Sequence, residues 1–399
     1  MTAWSEYTTG ERIKILRGLE LTQAGLADAA GVSLALVQKA ERGRDISVAS
    51  LIKIAEALGS DVGVLLGQQA PRRAMSNSER TGLRAVAIAV HDAAVGEPST
   101  HEPPTLADLE RARAEVWNTY WAGDYPSLCG IAAPLIGEAR AFVDMADGRQ
   151  RERGLAVLAD ALQVAACVAN MLGKRDLAYA ATAHAMRAAE DSGDELLQGV
   201  LASMLAWVYL RDGRVDRAVK VSEDMAASLE PRFGDASPQR LAVFGNLMLR
   251  AAVASARRTD KPRALDFLSQ CHAAAVRLGA DANHYQTQFG PTTARIQAVQ
   301  VHLAFGDVGQ ALELIEQTHI PSSIPKVTRS RFKLDVALAR VEAKQWDAAA
   351  DTLLEVCMEA PGWVKHQGLA GVVAQRLGDG STAKLRKVTQ VLGVPLLTH

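Results

Sequence analysis

Between residues 105 and 377 one turn position recurs, with small side chains at fixed distances on either side. Around Gly213 those offsets hold Ala206, Tyr209, Ala218 and Met225; around Gly173 they hold Ala166, Ala169, Ala178 and Ala185. Thr259 has Ala252, Ser255, Ala264 and Cys271. Gly306 has Val299, His302, Ala311 and Thr318. Gln345 has Leu338, Val341, Ala350 and Cys357, and the less regular Gly123 has Val116, Thr119 and Leu128. Two helices cross closely only where small side chains meet. Each turn therefore predicts a helical hairpin, which must hide its remaining apolar face on the next one. The pattern excludes a sheet-based fold. It predicts an all-α chain in which residues 105–377 form an α-solenoid.

In such a stack the first helix of each hairpin lines a concave face. Helical spacing puts Arg113, Trp117, Tyr120 and Trp121 there from the first unit, and Gln163 and Asn170 from the second. Ser203, Trp207 and Arg211 follow from the third, Asn246 from the fourth and Gln300 from the fifth. Aromatic rings flank the groove and amides line its middle. Amides pair with a peptide backbone whatever its side chains, so the expected effector is a peptide or a small molecule. One stretch, Asp281 to Arg295, breaks the rhythm. Asn283, His284, Tyr285, Phe289 and Arg295 are rich in hydrogen-bonding groups for an interhelix loop, and Gly290-Pro291 turns into the next helix. It is expected either to close the groove or to cap helix ends.

A second unit precedes the repeats. Leu21–Gly43 (LTQAGLADAAGVSLALVQKAERG) reads as two short helices around a turn at Gly31. Thr22 caps the first helix, whose apolar side is Leu26, Ala29 and Ala30; Ser33 caps the second, which buries Val37 and Ala40. The opposite side presents Leu34, Ala35, Gln38, Lys39 and Arg42. This is a helix-turn-helix, whose second helix enters the DNA major groove. Around it, Thr9–Leu19 forms a helix on Ile13, Leu16 and Leu19. Ser47 opens another, stopped by Gly59, and DVGVLLG closes the unit.

Residues 9–67 resemble the phage-repressor-like (XRE) DNA-binding family. The resemblance rests on Gly10–Arg17, Thr22–Gln23, Leu26–Ala27, Gly31–Val32–Ser33, Glu41–Arg42–Gly43 and Ile54–Leu58, in that order. It implies that Gln23 contacts a phosphate and braces the second helix, and that Ser33, Leu34, Ala35, Gln38 and Lys39 read bases. Leu34, Ala35 and Leu36 replace mostly polar residues, leaving direct readout to Gln38 and Lys39 and the rest to DNA shape. Arg42, Arg44 and Lys53 supply a local positive rim to a unit that is not basic overall. Two such units one helical turn apart read a palindrome, so a homodimer on double-stranded DNA is expected.

The larger region resembles the tetratricopeptide repeat, which implies a right-handed α-solenoid. Its turns lie between 39 (Gly306 to Gln345) and 50 (Gly123 to Gly173) residues apart, beyond the usual ~34, so longer helices are expected. The stretch 283–293 (NHYQTQFGPTT) is similar to a segment, N-x-Y-x-x-x-F-G-P-T-N, of actinobacterial regulators that join an XRE domain to such repeats. Here the closing Asn is Thr293. The whole layout, from Gly10 to about Leu377, resembles the RRNPP peptide-sensing regulators.

Domains are expected at 1–67 (DNA binding), 68–104 (linker with a connector helix, Ser78–Val95), 105–377 (sensor) and 378–399 (capping helix and tail). The linker helix is a connector or a dimer contact, and Arg72 and Arg73 are candidates for phosphate contact. A formal net charge of -1 excludes a general polyanion binder, so any DNA contact must come from local placement. Four dispersed cysteines without a CxxC pair indicate buried thiols in a reducing, cytoplasmic compartment, near the nucleoid. No signal segment and no apolar run long enough for a membrane span is read. No HExxH, GxSxG, P-loop or dinucleotide motif occurs, and the nine histidines lack metal-ligand spacing. The expectation is a non-enzymatic protein without cofactor, metal or membrane. Two functions follow: a ligand-responsive transcriptional regulator, or an adaptor whose repeats grip a partner protein while the helix-turn-helix docks it.

Overall fold

The computed structural model describes residues 7–18, 21–58, 60, 62–66, 77–96, 104–232, 236–377 and 382–392. Every regular element among them is a helix. Leu19, Gly59, Arg72 and Arg73 lie outside the described residues.

The N-terminal head comprises α1 (Thr9–Arg17), α2 (Gln23–Ala30), α3 (Leu34–Glu41), α4 (Val48–Ala57) and α5 (Val62–Leu65). Its starts are set by hydroxyl caps. Thr8, immediately before α1, forms a reciprocal capping box with Glu11. Thr22, Ser33 and Ser47 each accept a backbone N–H two or three residues inside their helices. Ile13, Leu26, Val37, Ile54 and Leu65 form the sealed centre of the head. Ala29, expected on the buried side of α2, faces solvent instead, while Ala27 takes that side.

Helix α6 (Asn77–Val95) lies on α8 (Tyr125–Met145). It buries Leu83, Val86 and Val90 and leaves Ile88 and Val95 exposed. Eleven helices follow α6 up to Glu342: α7 (Leu106–Ala122), α8, α9 (Gly148–Met171), α10 (Arg175–Ser192), α11 (Glu195–Arg211), α12 (Val215–Ser228), α13 (Pro238–Arg257), α14 (Lys261–Leu278), α15 (Pro291–Phe305), α16 (Val308–Glu316) and α17 (Lys326–Glu342). Then come α18 (Trp346–Glu359), α19 (Pro361–Val364), α20 (Gly368–Leu377) and α21 (Thr382–Leu392). From α7 to α18 each helix packs on the next, and the odd-numbered helices α7 to α17 also touch one another in sequence. Helix α17 returns to touch α7. The small residues picked out by spacing sit at the crossings: Ala166, Ala178, Ala206, Ala218, Ala252, Ala264, Ala311 and Ala350 are all buried.

The turn positions share one backbone state. Gly123, Gly173, Gly213, Thr259 and Gly306 all have left-handed φ. The sixth is Lys344, not Gln345; the hairpin there closes one residue earlier than its small-residue pattern suggests. Left-handed backbone strains a residue with a Cβ by about 1 kcal/mol. Thr259→Gly and Lys344→Gly are therefore each expected to raise stability to urea unfolding by up to about 1 kcal/mol. An unchanged or lower midpoint would show that these turns are not strained.

Helix α9 is long and apolar enough to cross a membrane by length and composition, but nearly all of it is buried inside the protein. It has 24 residues, whereas α16 has nine, so the helices of the repeat region are long in some units and short in others. The chain breaks between α19 and α20. Turn bonds from His366 and Gln367 back to Trp363 and Val364 end the first of these. The break swings His366 onto α6, where Glu79 is buried between Lys365 Nζ (2.8 Å) and His366 Nε2 (3.2 Å).

The head rests on the far end of the chain. Glu342 Oε1 accepts the otherwise free N–H of Val48 at the start of α4 (3.2 Å), and Gln375 donates to the Leu66 carbonyl (3.4 Å).

Candidate nucleic-acid interface and interior polar face

Helix α3 has α1 and α2 as its main neighbours. It buries Val37, Ala40 and Glu41 and turns Ser33, Leu34, Ala35 and Lys39 outward; Gln38 is half-buried at the edge of that face. Leu34 is 42% exposed, unusual for a leucine on a short helix. Arg42 and Arg44, just beyond the helix, are exposed as well. The structure thus brings the candidate reading residues together on one accessible ridge, flanked by two guanidinium groups.

What holds that ridge at its angle is a buried carboxylate. Glu41, 3% exposed, takes Arg17 Nε at 2.6 Å on one oxygen and Gln23 Nε2 at 2.6 Å on the other. Burial pushes the Glu41 pKa up, but the hydrogen bonds from Arg17 and Gln23 outweigh it and hold the carboxyl below its ordinary value. Gln23 therefore ties the start of α2 to the end of α3, and Arg17 ties in α1. Arg12 is also buried and donates to the Leu65 carbonyl, so neither it nor Arg17 is offered to an external phosphate. Of the head's cations, Lys14, Lys39, Arg42 and Arg44 are exposed and Lys53 is half-buried.

The second candidate site lies on the odd-numbered helices. Trp117, Tyr120 and Trp121 form an aromatic cluster on α7, with ring centroids 5.0 to 6.2 Å apart. Trp117 and Tyr120 are buried, as are Gln163 and Asn170 on α9; Trp121, Trp207 and Asn246 are half-buried. Asn170 is 1% exposed, and neither its Oδ1 nor its Nδ2 has a protein partner; Gln163 Oε1 has none either. Buried amides are almost always satisfied, and here three unpaired atoms share one helix face.

Charge is placed beside them. Asp160, buried on the same face of α9, lies 3.5 Å from Arg113. Burial lifts its pKa to about 6, against the opposing pull of Arg113. Trp117 Nε1 lowers it slightly from nearby without forming a hydrogen bond of good geometry. A carboxyl whose pKa rises on folding adds stability in full below its ordinary 3.8 and loses it as pH rises through about 6. At neutral pH its charge is thus a cost. Asp160→Asn is expected to stabilise the chain at pH 7 by about 1–3 kcal/mol, with a gain that fades toward pH 4. A gain that is flat with pH, or a loss at pH 7, would contradict this; Arg113, left without its partner, is still solvated at 41% side-chain exposure.

Sequence reasoning missed Arg250. Its Nε donates to Ser203 Oγ (3.2 Å), Ser203 in turn donates to Asn246 Oδ1, and the guanidinium stands 5.8 Å from the Trp207 ring. Arg250 falls one turn beyond Asn246 on the same face, so the i, i+4 spacing was the available signal.

The irregular stretch caps a helix end, one of the two roles expected of it. Asp281 caps α15 through the N–H groups of Thr292 and Thr293 and the Thr293 hydroxyl. Thr293, at the motif's usual Asn position, thereby has its own partner. Next to it the chain crosses to distant helices. Gln286 Oε1 accepts Trp121 Nε1 (3.1 Å) from α7, and the Tyr285 hydroxyl donates to Asp194 (3.1 Å) at the start of α11. Tyr285, Gln286 and Gln288 all sit at left-handed φ. Phe289 is buried at 2% exposure with its ring where a Cβ on Gly245 would be, so it is packing rather than groove lining. His284 is half-buried beside Tyr285, and Arg295 half-buried on α15.

All four cysteines are free and buried, with thiol pKa values pushed up by burial, to about 12 for Cys167 and Cys271. Compared with known proteins, the chain matches one family model, described as helix-turn-helix, over residues 13–65. No curated protein and no solved structure matches it. The matched residues span α1 to α5 and include the whole Arg17–Gln23–Glu41 brace and the exposed ridge of α3. Residues 13–65 are therefore a helix-turn-helix domain of the XRE type.

Proposed function

We propose that the chain is a ligand-responsive transcriptional regulator. It binds a palindromic operator as a homodimer, inserting α3 of each copy into the major groove. Gln38 and Lys39 read bases, Leu34 and Ala35 meet thymine methyl groups, and Arg42 and Arg44 hold phosphates. The remaining helices act as a right-handed, tetratricopeptide-like solenoid whose concave side takes a peptide or small molecule. The chain of neighbours α7–α9–α11–α13–α15–α17 supports that reading, as do the shared left-handed turns. Because the head rests on Glu342, Gln375 and their helices, an effector that alters the curvature of the stack shifts the spacing of paired heads. It acts by favouring one arrangement over the other.

The observation that carries the proposal is the outward ridge of α3 on a rigidly braced domain. Salt dependence tests it. Replacing condensed counterions on DNA makes affinity fall steeply with salt, with a log–log slope steeper than about -4 for two heads using several cations each. The exposed Leu34 favours a second reading, an adaptor that docks a protein through the same ridge. That reading gives a slope near zero and no preference for duplex DNA.

A further inference from the structure

We propose that the interior face formed by α7, α9, α11 and α13 is a carboxylate site, with Arg250 as the anion receptor of the effector. The site rests on the sensor reading above and names its ligand chemistry. Arg250 spends one nitrogen, Nε, on Ser203, and Ser203 is itself anchored on Asn246. The groups that act on the guanidinium electrostatically are Tyr120 and Cys167, neither of them a carboxylate at neutral pH. Burial lowers the Arg250 pKa, yet the residue keeps partial solvent access. A buried guanidinium without a carboxylate is costly to keep unless an anion from outside completes it.

Its geometry selects the anion. With Nε tethered and the plane held near Trp207, the terminal nitrogens form a preorganised fork that fits a planar carboxylate through two parallel hydrogen bonds. Beyond the fork, the half-buried Trp207 ring offers apolar surface, and the unpaired amide atoms of Gln163 and Asn170, a donor and two acceptors, are sealed from solvent and reached only if the face opens. The carboxylate can belong to the C-terminus of a short peptide or to a small organic acid; the amides suit a peptide backbone, and the test separates the two sources.

The full-length protein is titrated, at millimolar probe and with thermal denaturation followed by circular dichroism, with four probes. These are N-acetyl-leucyl-leucyl-phenylalanine and its C-terminal amide, and 3-phenylpropanoate and 3-phenylpropanamide. The site predicts that at least one acid raises the melting temperature and that its amide binds at least about tenfold more weakly. Arg250→Gln removes the difference between acid and amide, and Arg250→Lys restores part of it by keeping charge without the fork. A stronger response to the peptide acid than to 3-phenylpropanoate assigns a peptide C-terminus; the reverse assigns a small acid. Equal binding of acid and amide, an acid response that survives in Arg250→Gln, or no response to any probe overturns the proposal. Operator binding measured on the same preparations keeps the two readings separable, since carboxylate binding without DNA binding removes the regulator and leaves the site.

Discussion

Glu41→Ala is expected to unfold the helix-turn-helix while the larger helical stack persists. The substitution deletes the acceptor of Arg17 and Gln23 together and leaves a buried cavity beside an unpaired guanidinium. Breaking one side of a buried, hydrogen-bonded ion pair costs about 3–5 kcal/mol. Arg17 keeps a bond to the Leu21 carbonyl at 2.8 Å and is 18% exposed, which puts the effect at the lower end, about 3 kcal/mol. That is a large share of what a domain this small has to lose. Amide hydrogen exchange in α1–α3 is the measurement, since it reports the head apart from the rest. Glu41→Gln, which keeps the volume and one acceptor, is expected to lose less. The brace also has a pH signature. Its folded pKa is below the ordinary 4.5, so its contribution is complete above 4.5 and lost as pH falls through the folded value. Protection of α3 should fall on acidification in the wild type and less steeply in Glu41→Gln. Unchanged exchange in Glu41→Ala would mean that the three helices are held by apolar contacts alone.

The second large effect is on recognition. Gln38→Ala with Lys39→Ala removes the two side chains on α3 able to make directed hydrogen bonds to base edges. Each good base contact is worth about 1–3 kcal/mol. A dimer uses the pair twice, so specific affinity should fall at least about a hundredfold, with helical content unchanged. Binding to unrelated DNA, carried by Arg42 and Arg44, should change far less. A double variant that keeps its operator affinity would move recognition off α3.

Helix periodicity and capping made most of the architecture legible. Ser33 and Ser47 cap where their hydroxyls allow, and the recurring small residues mark the helix crossings. What the sequence hid were partnerships between distant residues. Nothing local says that Glu41, the last residue of α3, is buried against Arg17. Nor could spacing reveal that Tyr285 and Gln286 reach Asp194 and Trp121, because loop paths are not periodic. Phe289 read as a ligand contact because it sits among polar groups; its ring in fact fills the space that Gly245 leaves empty. Arg250 was overlooked for the opposite reason, since a cation in an alanine-rich helix reads as a solvated face until its neighbours are known.

The central claim is that paired heads read duplex DNA through α3. Its most direct measurement is selection of binding sites from a random duplex library by the full-length protein, followed by sequencing. The account predicts enrichment of an inverted repeat whose half-sites are centred about 10–11 base pairs, or a multiple, apart, and no such enrichment with the Gln38/Lys39 variant. A library that emerges unenriched, or enriched equally by both proteins, would contradict it.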